Sequence, residues 1–295
     1  MSSDAAAHGQ RTDRYFVPEP SAWPFVLTFG LALTVLGVGR ALEGRPMWEG
    51  FVIPGVPIAL WIIYRWCLGV ARESERGAYN LQVDRTFRWA MSFFIFSEVM
   101  FFGGFFGALF YARVLSVPWL SGAGAKLFTG LQLWPDFTAT WPSNGPGHVG
   151  GAFQTIPPWG VPFLNTLCLL SSGVTITYAH HKLREGKRAL CIVGMIATIA
   201  LGCMFLRLQA GEYIEAYTKL NLTLHSGVYG STFFMLTGFH GLHVTLGTLM
   251  LIIITIRLAV GHFTPDHHFG FEGVAWYWHF VDVVWVGLFV LVYIL

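Results

Sequence analysis

Hydrophobic residues in this chain fall into seven long blocks separated by more polar stretches. Each block is close to the roughly 20 residues that an α-helix needs to cross the hydrocarbon of a bilayer. Several are apolar on all sides, which is typical of helices that face lipid and other helices. Short alternating segments, which would indicate a membrane β-barrel, are absent from the sequence. The pattern predicts an all-α integral membrane protein with transmembrane helices at Pro24–Leu42, Phe51–Val70, Phe87–Val114, Pro158–His180, Ala189–Tyr213, Val228–Leu258 and Val274–Leu295.

Composition agrees with a membrane protein. Of the 295 residues, 54% are hydrophobic and 12% are charged, whereas a soluble domain has about 25% charged residues. Residues 1–20 are polar and lack the apolar core of a secretory signal. We therefore expect a polar N-terminal segment followed by one seven-helix domain, residues 21–295. The net charge of +2 is too small to indicate a nucleic-acid partner. The sequence contains no CxxC pair, the spacing that would indicate a thiolate metal site.

Lysine and arginine residues predict the orientation, because they concentrate in cytoplasmic connections. If the N-terminus is cytoplasmic, that side holds Arg11, Arg14, Arg72, Arg76, Arg85, Arg88, Lys182, Arg184, Lys187, Arg188 and Arg257. The opposite side holds only Arg40, Arg45, Arg113, Lys126 and Lys219. This favours a cytoplasmic N-terminus and a C-terminus on the other side of the membrane.

The longest connection, residues 115–157, is rich in Gly, Pro and Trp and has few charges. One interpretation is an irregular loop whose aromatic residues lie at headgroup level. The other is a docking surface for a further subunit.

Glu98 is an ionisable residue near the middle of the third block. A carboxyl group at that depth costs several kcal/mol on insertion scales, so it indicates a function. The functional interpretation is a carboxylate that takes part in proton transfer or ligand contact. The alternative is a hydrogen bond between helices, with Ser97 as one possible partner.

Histidine and acidic residues recur in the later blocks. His240 and His243 share a helix face and could bind haem iron or copper together with His279 or with His180–His181 at a helix end. Gly238 and Gly241 favour close helix packing instead. His279 and Asp282 also share a face and could either relay protons or satisfy each other. A further polar network is expected around Arg207, Gln209 and Glu212.

Several long strings, in order, resemble subunit III of the haem–copper cytochrome c oxidases. The resemblance covers about residues 15–295 and depends on the strings at 94–102 (FIFSEVMFF), 161–174 (VPFLNTLCLLSSGV), 179–181 (AHH), 209–213 (QAGEY), 228–234 (VYGSTFF), 237–244 (TGFHGLHV), 267–272 (HHFGFE) and 276–282 (WYWHFVD).

The resemblance implies seven helices, of which the first two are separated from the other five by a V-shaped cleft that holds phospholipid. It also implies that this chain has no catalytic residue and no metal or other cofactor of its own, since haem and copper belong to subunits I and II. The implied role is to support proton uptake by subunit I and to protect the catalytic subunit during aerobic respiration. The two N-terminal helices, which related ubiquinol-oxidase subunits usually lack, favour cytochrome c as the electron donor to the complex.

The resemblance also implies particular residues. The positions expected at lipid are Trp66, Arg72, Glu73, Glu98 and Arg257. The long connection and the polar N-terminus resemble bacterial members, which implies the bacterial cytoplasmic (inner) membrane with the C-terminus periplasmic. One departure is Ser226, where the family often has an acidic residue.

Two alternatives belong to other functional classes. A free-standing transporter or proton channel would use Glu98 and Asp282. A b-type cytochrome would use His240, His243 and His279.

Overall fold

The computed structural model describes residues 16, 20–265 and 267–295, with only the backbone of Leu42. All regular structure in these ranges is helical, and seven of the helices are long and apolar enough to cross a membrane. The predicted all-α, seven-span architecture is therefore confirmed. The helices are α1 Trp23–Leu42, α2 Glu49–Glu75, α3 Leu81–Leu120, α4 Val161–Arg184, α5 Arg188–Thr218, α6 Gly227–Val260 and α7 Phe269–Ile294. The predicted polar N-terminal segment lies outside the described residues, apart from Phe16 and Pro20.

The helices extend beyond the ends that the apolar blocks predict. α2 continues to Glu75, so Arg72 and Glu73 lie in its last turns and not in a connecting segment. α7 begins at Phe269, which brings Glu272 into its first turn. Hydropathy marks the part of a helix that lies in hydrocarbon, whereas the backbone hydrogen-bond ladder continues where side chains are solvated.

The third helix differs most from its prediction. α3 begins at Leu81 and not at Phe87, and a π-helical stretch at Tyr111–Ser116 carries it on to Leu120. The predicted loop therefore begins after residue 120 and not at residue 115. A π-helical stretch adds a residue to one turn without breaking the helix. The pattern of hydrophobic residues in the sequence does not indicate such a change.

Two compact units divide the chain, residues 1–87 and 88–295. In the first unit α1 packs along α2 through glycines. A Cβ at Gly55 would lie 2.7 Å from the backbone nitrogen of Thr34, and a Cβ at Gly37 would lie 2.9 Å from that of Val52. Small residues let two membrane helices approach closely. The V-shaped cleft beside these helices stays a prediction.

The second unit is a bundle in which α4 packs on α5 and α7, and α6 packs on the same two helices. Two fully buried tryptophans of α7 lie at its centre. The Nε1 of Trp278 donates to Ser172 Oγ at 2.8 Å, and the Nε1 of Trp285 donates to Thr166 Oγ1 at 2.9 Å. Both polar ring atoms are thus satisfied inside the bundle, as buried indoles require.

The connection between α3 and α4 is attached to the end of this bundle. The side-chain amide of Asn221 donates to the carbonyl oxygens of Gly150 (3.0 Å) and Ala152 (2.9 Å). The ring of Tyr229 stacks on Phe153 and meets the edge of Trp141. The same connection exposes Leu127, Phe128, Leu131, Leu133, Val149 and Trp159. These contacts fix its inner side, while the use of its outer side as a docking surface stays a prediction.

Candidate functional site

Glu98 on α3 meets His243 on α6. Their Oε2 and Nε2 atoms are 2.9 Å apart, and the Nδ1 of His243 lies 2.7 Å from the carbonyl oxygen of Phe239 in its own helix. A carbonyl oxygen only accepts hydrogen bonds, so Nδ1 carries a proton and donates it. Both ring nitrogens of His243 are therefore engaged, which leaves neither of them to ligate a haem iron.

One proton must lie between Glu98 and His243, because neither Oε2 nor Nε2 can donate without it. Either a neutral carboxyl donates to a neutral imidazole, or an imidazolium donates to a carboxylate. Both states have zero net charge, which removes most of the cost of placing an isolated carboxylate in hydrocarbon. Movement of the proton between the two groups leaves the pair at zero net charge.

Aromatic rings surround this pair. The ring centroid of Phe102 lies 5.1 Å from that of His243, and the ring of Tyr277 stacks on that of His243 with centroids 6.3 Å apart. The side chain of Glu98 keeps 22% of its surface exposed and that of His243 keeps 11%. Glu98 is therefore half-buried, at the edge of the bundle. Ser97, the partner suggested by the sequence, instead donates to the carbonyl oxygen of Phe94 at 2.7 Å.

His240 is buried deeper than His243. Its Nε2 lies 3.2 Å from the carbonyl oxygen of Val281, and its ring packs against Phe205 and Trp285. The two histidines of α6 thus have different surroundings, although they share a face. His240 contacts a backbone carbonyl of α7, whereas His243 contacts a side-chain carboxylate of α3.

His279 and Asp282 lie on the same face of α7, with Nδ1 and Oδ2 3.6 Å apart. The Nε2 of His279 is 3.3 Å from Thr177 Oγ1 on α4. Gly173 makes room for the carboxylate, since a Cβ there would lie 2.5 Å from Asp282 Oδ2. This couple joins α4 to α7, and the side chain of His279 is 45% exposed.

Glu212 belongs to a separate polar cluster. Tyr293 Oη donates to Glu212 Oε1 at 2.6 Å, and Asn165 Nδ2 donates to Gln209 Oε1 at 3.4 Å. Arg207 does not share this face, because it lies about 140° around α5 from Glu212 and is exposed. Glu212 and Gln209 thus lie in this cluster, while Arg207 lies on another face of α5.

A pocket of about 790 Å³ lies within the first unit, beside the last turns of α2. Aromatic, charged and small residues line it: Phe16, Pro20, Ser21, Trp23, Trp66, Gly69, Val70, Glu73, Arg76, Ala78, Tyr79, Val83, Thr86 and Phe87. Two of the residues predicted at lipid, Trp66 and Glu73, thus lie on one concave surface. Its mixed lining and its place at a helix end are typical of a membrane interface.

Tyr79 orders one wall of this pocket. Its Oη donates to Glu73 Oε2 at 2.8 Å, and its ring meets Phe16 and Phe87 edge to face. Burial, together with the adjacent Glu73 carboxylate, holds the pKa of Tyr79 above its ordinary value of 10. The phenol therefore stays protonated and keeps Glu73 in a fixed position.

The other residues predicted at lipid are distributed along the chain. Arg72 is exposed, one turn before Arg76, and does not line the pocket. Glu98 and Arg257 belong to the second unit. The guanidinium of Arg257 lies 4.9 Å from the ring centroid of Phe263.

Comparison with known proteins identifies the family. The family model described as Cytochrome c oxidase subunit III matches residues 13–295. The chain belongs to the cytochrome c oxidase subunit III family. It is similar to cytochrome c oxidase subunit 3 of Hippopotamus amphibius, with 41% identity over 289 residues that cover 96% of this chain and 97% of that one. Subunit 3 of Danio rerio is 40% identical over 280 residues, with 95% and 96% coverage. Subunit 3 of Marchantia polymorpha is 39% identical over 280 residues, with 95% coverage of each chain.

The resemblance in the sequence is thereby confirmed as family membership. Sequence reasoning did not find that His243 is the partner of the Glu98 carboxylate in this subunit III. The two residues are 145 positions apart, so no local pattern could join them. It also did not single out Tyr79, whose tie to Glu73 depends on the turn between α2 and α3.

Proposed function

We propose that this chain is a non-catalytic subunit of a proton-pumping cytochrome c oxidase. In this proposal it binds phospholipid, supports proton uptake and protects the catalytic subunit during turnover. Haem and copper would be held by partner subunits I and II, with cytochrome c as donor to the complex. Membership of the subunit III family over residues 13–295 supports the assembly.

The pocket of the first unit carries the lipid part of the proposal. At about 790 Å³ it has the size of a small-ligand site, large enough for a headgroup and the first part of its chains. Arg76 offers a guanidinium that suits a phosphate group. Trp66 and Phe87 offer apolar surface beside it. Trp66 and Glu73 would contact the lipid directly, and we propose Arg72, Glu98 and Arg257 as further lipid contacts.

The pair of Glu98 and His243 supports the part that concerns protons. It holds one exchangeable proton at zero net charge, and the Glu98 side chain is partly exposed at the edge of the bundle. Such a pair tolerates changes in its surroundings without leaving an isolated charge in hydrocarbon. In this proposal it keeps a face of the subunit polar yet neutral and carries out no redox chemistry.

We further propose the bacterial cytoplasmic (inner) membrane as the location, with the N-terminus cytoplasmic and the C-terminus periplasmic. The distribution of lysine and arginine residues supports that orientation. The bacterial source is supported only by the N-terminus and the long connection, since the relatives named above are eukaryotic.

Purification of the native protein in mild detergent tests the assembly. We expect this chain to copurify with larger haem-bearing subunits. A chain that runs alone would favour the transporter that uses Glu98 and Asp282. A Soret band retained by the separated chain would favour the b-type cytochrome.

Counting phospholipid per chain tests the pocket. Trp66→Ala should lower the count by about one, because it removes one of the two tryptophans that line the pocket. Trp89→Ala is the matched control, since Trp89 is an exposed tryptophan of α3 that does not line the pocket. Equal phospholipid counts in the wild type, Trp66→Ala and Trp89→Ala would contradict lipid binding in the pocket.

A paired replacement of Arg72 and Arg257 by Ala should also release phospholipid.

A further inference from the structure

Three potential metal ligands meet where α4 ends and α7 begins. His180 lies in the last two turns of α4, His268 directly precedes α7, and Glu272 lies in its first turn. His180 Nε2 and His268 Nε2 are 3.3 Å apart. Glu272 Oε1 lies 3.2 Å from the Nε2 of His268 and 3.6 Å from that of His180. The three atoms therefore form a nearly equilateral triangle.

The size of that triangle fits one metal ion. Zinc binds imidazole nitrogen and carboxylate oxygen at about 2.0–2.2 Å in tetrahedral geometry, which requires ligand atoms about 3.3–3.5 Å apart. The three observed edges, 3.2, 3.3 and 3.6 Å, surround this value. An ion above the triangle would reach all three atoms without a change of backbone, and water would supply the fourth ligand.

We propose that His180, His268 and Glu272 bind a divalent ion of the zinc class. Two imidazoles and one carboxylate favour Zn²⁺, Co²⁺ or Ni²⁺, whereas Mg²⁺ and Ca²⁺ prefer oxygen ligands only. This proposal differs from the sequence-based expectation that the chain holds no metal of its own.

The three side chains are partly exposed, and a neighbouring ion pair holds the Glu272 carboxylate in position. His180 keeps 27% of its side-chain surface exposed, against 15% for Glu272 and 9% for His268. Arg88 of α3 pairs with Glu272 through the other carboxylate oxygen, Oε2, so Oε1 remains directed at the two histidines. The ring of Phe271 packs near that of His180.

Two features limit the affinity of the site. The guanidinium of Arg88 adds a positive charge close to the ion. The Nδ1 of His268 is buried and has no acceptor within the described part of the chain, although metal-bound imidazoles usually donate that proton. We therefore expect reversible binding in the micromolar range and not a permanently filled site.

Protection of wild-type protein against diethylpyrocarbonate, which modifies imidazole nitrogens, tests the site without any substitution. The assembled protein in detergent is treated with and without Zn²⁺, and modified peptides are counted by mass spectrometry. Zn²⁺ should slow modification of His180 at least about tenfold, because the ion occupies Nε2. The exposed neighbour His181 is the internal control. Protection of neither residue, or equal protection of both, overturns the proposal.

Zinc counting in variants gives an independent measurement. His180→Asn and His268→Asn should each remove one equivalent of Zn²⁺ per assembled protein, and Mg²⁺ in large excess should not displace that equivalent. The matched controls are His181→Asn and His267→Asn, which change the adjacent exposed histidines. An unchanged count in His180→Asn, or an equal loss in His181→Asn, would refute a site at these residues.

Discussion

The first two helices and the bundle formed by α4, α5, α6 and α7 bury their residues to different extents. In an apolar window of α7, 61% of the residues are buried, whereas the corresponding shares are 11% for α1 and 17% for α2. α1 and α2 meet through glycines such as Gly55, and the bundle meets through Trp278 and Trp285. Lipid tails are as apolar as leucine, so membrane helices associate through packing and hydrogen bonds. Both regions pack closely at glycines, and the bundle adds the hydrogen bonds of its buried indoles.

The two regions therefore differ both in what stabilises them and in how much of their apolar surface is exposed. The bundle buries large side chains whose removal leaves a cavity, whereas α1 and α2 approach each other closely at Gly37 and Gly55. Most residues in the apolar windows of α1 and α2 are not buried, and the pocket lies within the same unit. The comparison predicts that substitutions in the two regions have different consequences.

Truncation of Trp278 should have the largest effect. Trp278→Ala removes a fully buried ring and leaves Ser172 without its donor, so we expect a loss of about 3–5 kcal/mol in the free energy of unfolding. The measurement is thermal unfolding in detergent together with the yield of assembled protein. Trp278→Phe, which keeps much of the volume, should lose clearly less. Unfolding temperatures equal to wild type would show that the bundle is not held by this ring.

A larger side chain at Gly55 should separate the two helices of the first unit. Gly55→Leu places atoms where a Cβ alone would lie 2.7 Å from the backbone of Thr34, so α1 and α2 must move apart. We expect loss of pocket phospholipid and faster tryptic cleavage at Arg76, with the bundle still folded. Gly39→Leu is the control, because nothing lies within 4 Å of a Cβ at Gly39. Equal effects of the two substitutions would contradict glycine-mediated packing.

Hydropathy was sufficient to predict the seven helices, because the need to satisfy every backbone group in lipid leaves the chain few options. It did not predict the start of α3 at Leu81, since Asp84 and Arg85 end the apolar pattern while the helix continues. The identity of the family could also be read from the order of its strings.

The sites were predictable only in part. Glu98 stands out because a carboxylate in an apolar block is costly, but its partner His243 requires α3 and α6 to be neighbours. His268 and Glu272 are four residues apart, a spacing that places both on one side of a helix end. The third ligand, His180, comes from α4 and depends on tertiary packing. Local sequence spacing can therefore indicate at most two of the three proposed metal ligands.

Glu98→Gln should have a smaller effect than either packing change. The amide of Gln can still donate to His243 Nε2, so assembly and the initial oxidase rate should change by less than about twofold, or under 0.5 kcal/mol in barrier. The exchangeable proton is lost, so we expect fewer turnovers before inactivation. Ser97→Ala, next to it on α3, is the control. Immediate loss of electron transfer in a fully assembled Glu98→Gln complex would show that this residue is part of the reaction pathway.

The smallest effect is expected at the exposed turn between α4 and α5, where the bundle uses charge and not packing. Glu185 lies 2.8 Å from Lys187 Nζ and 2.9 Å from Lys182 Nζ, and these lysines lower its pKa from 4.5 to about 2. Since the pKa is depressed in the folded state, the contribution is present above pH 4.5 and is lost as the pH falls towards 2. Glu185→Gln should lower the unfolding temperature slightly at pH 6, by a smaller amount near pH 3, and not at all once the pH is below about 2. Glu215→Gln, at a longer ion pair on α5, is the control, and a loss in Glu185→Gln that is as large near pH 3 as at pH 6 would assign the effect to packing.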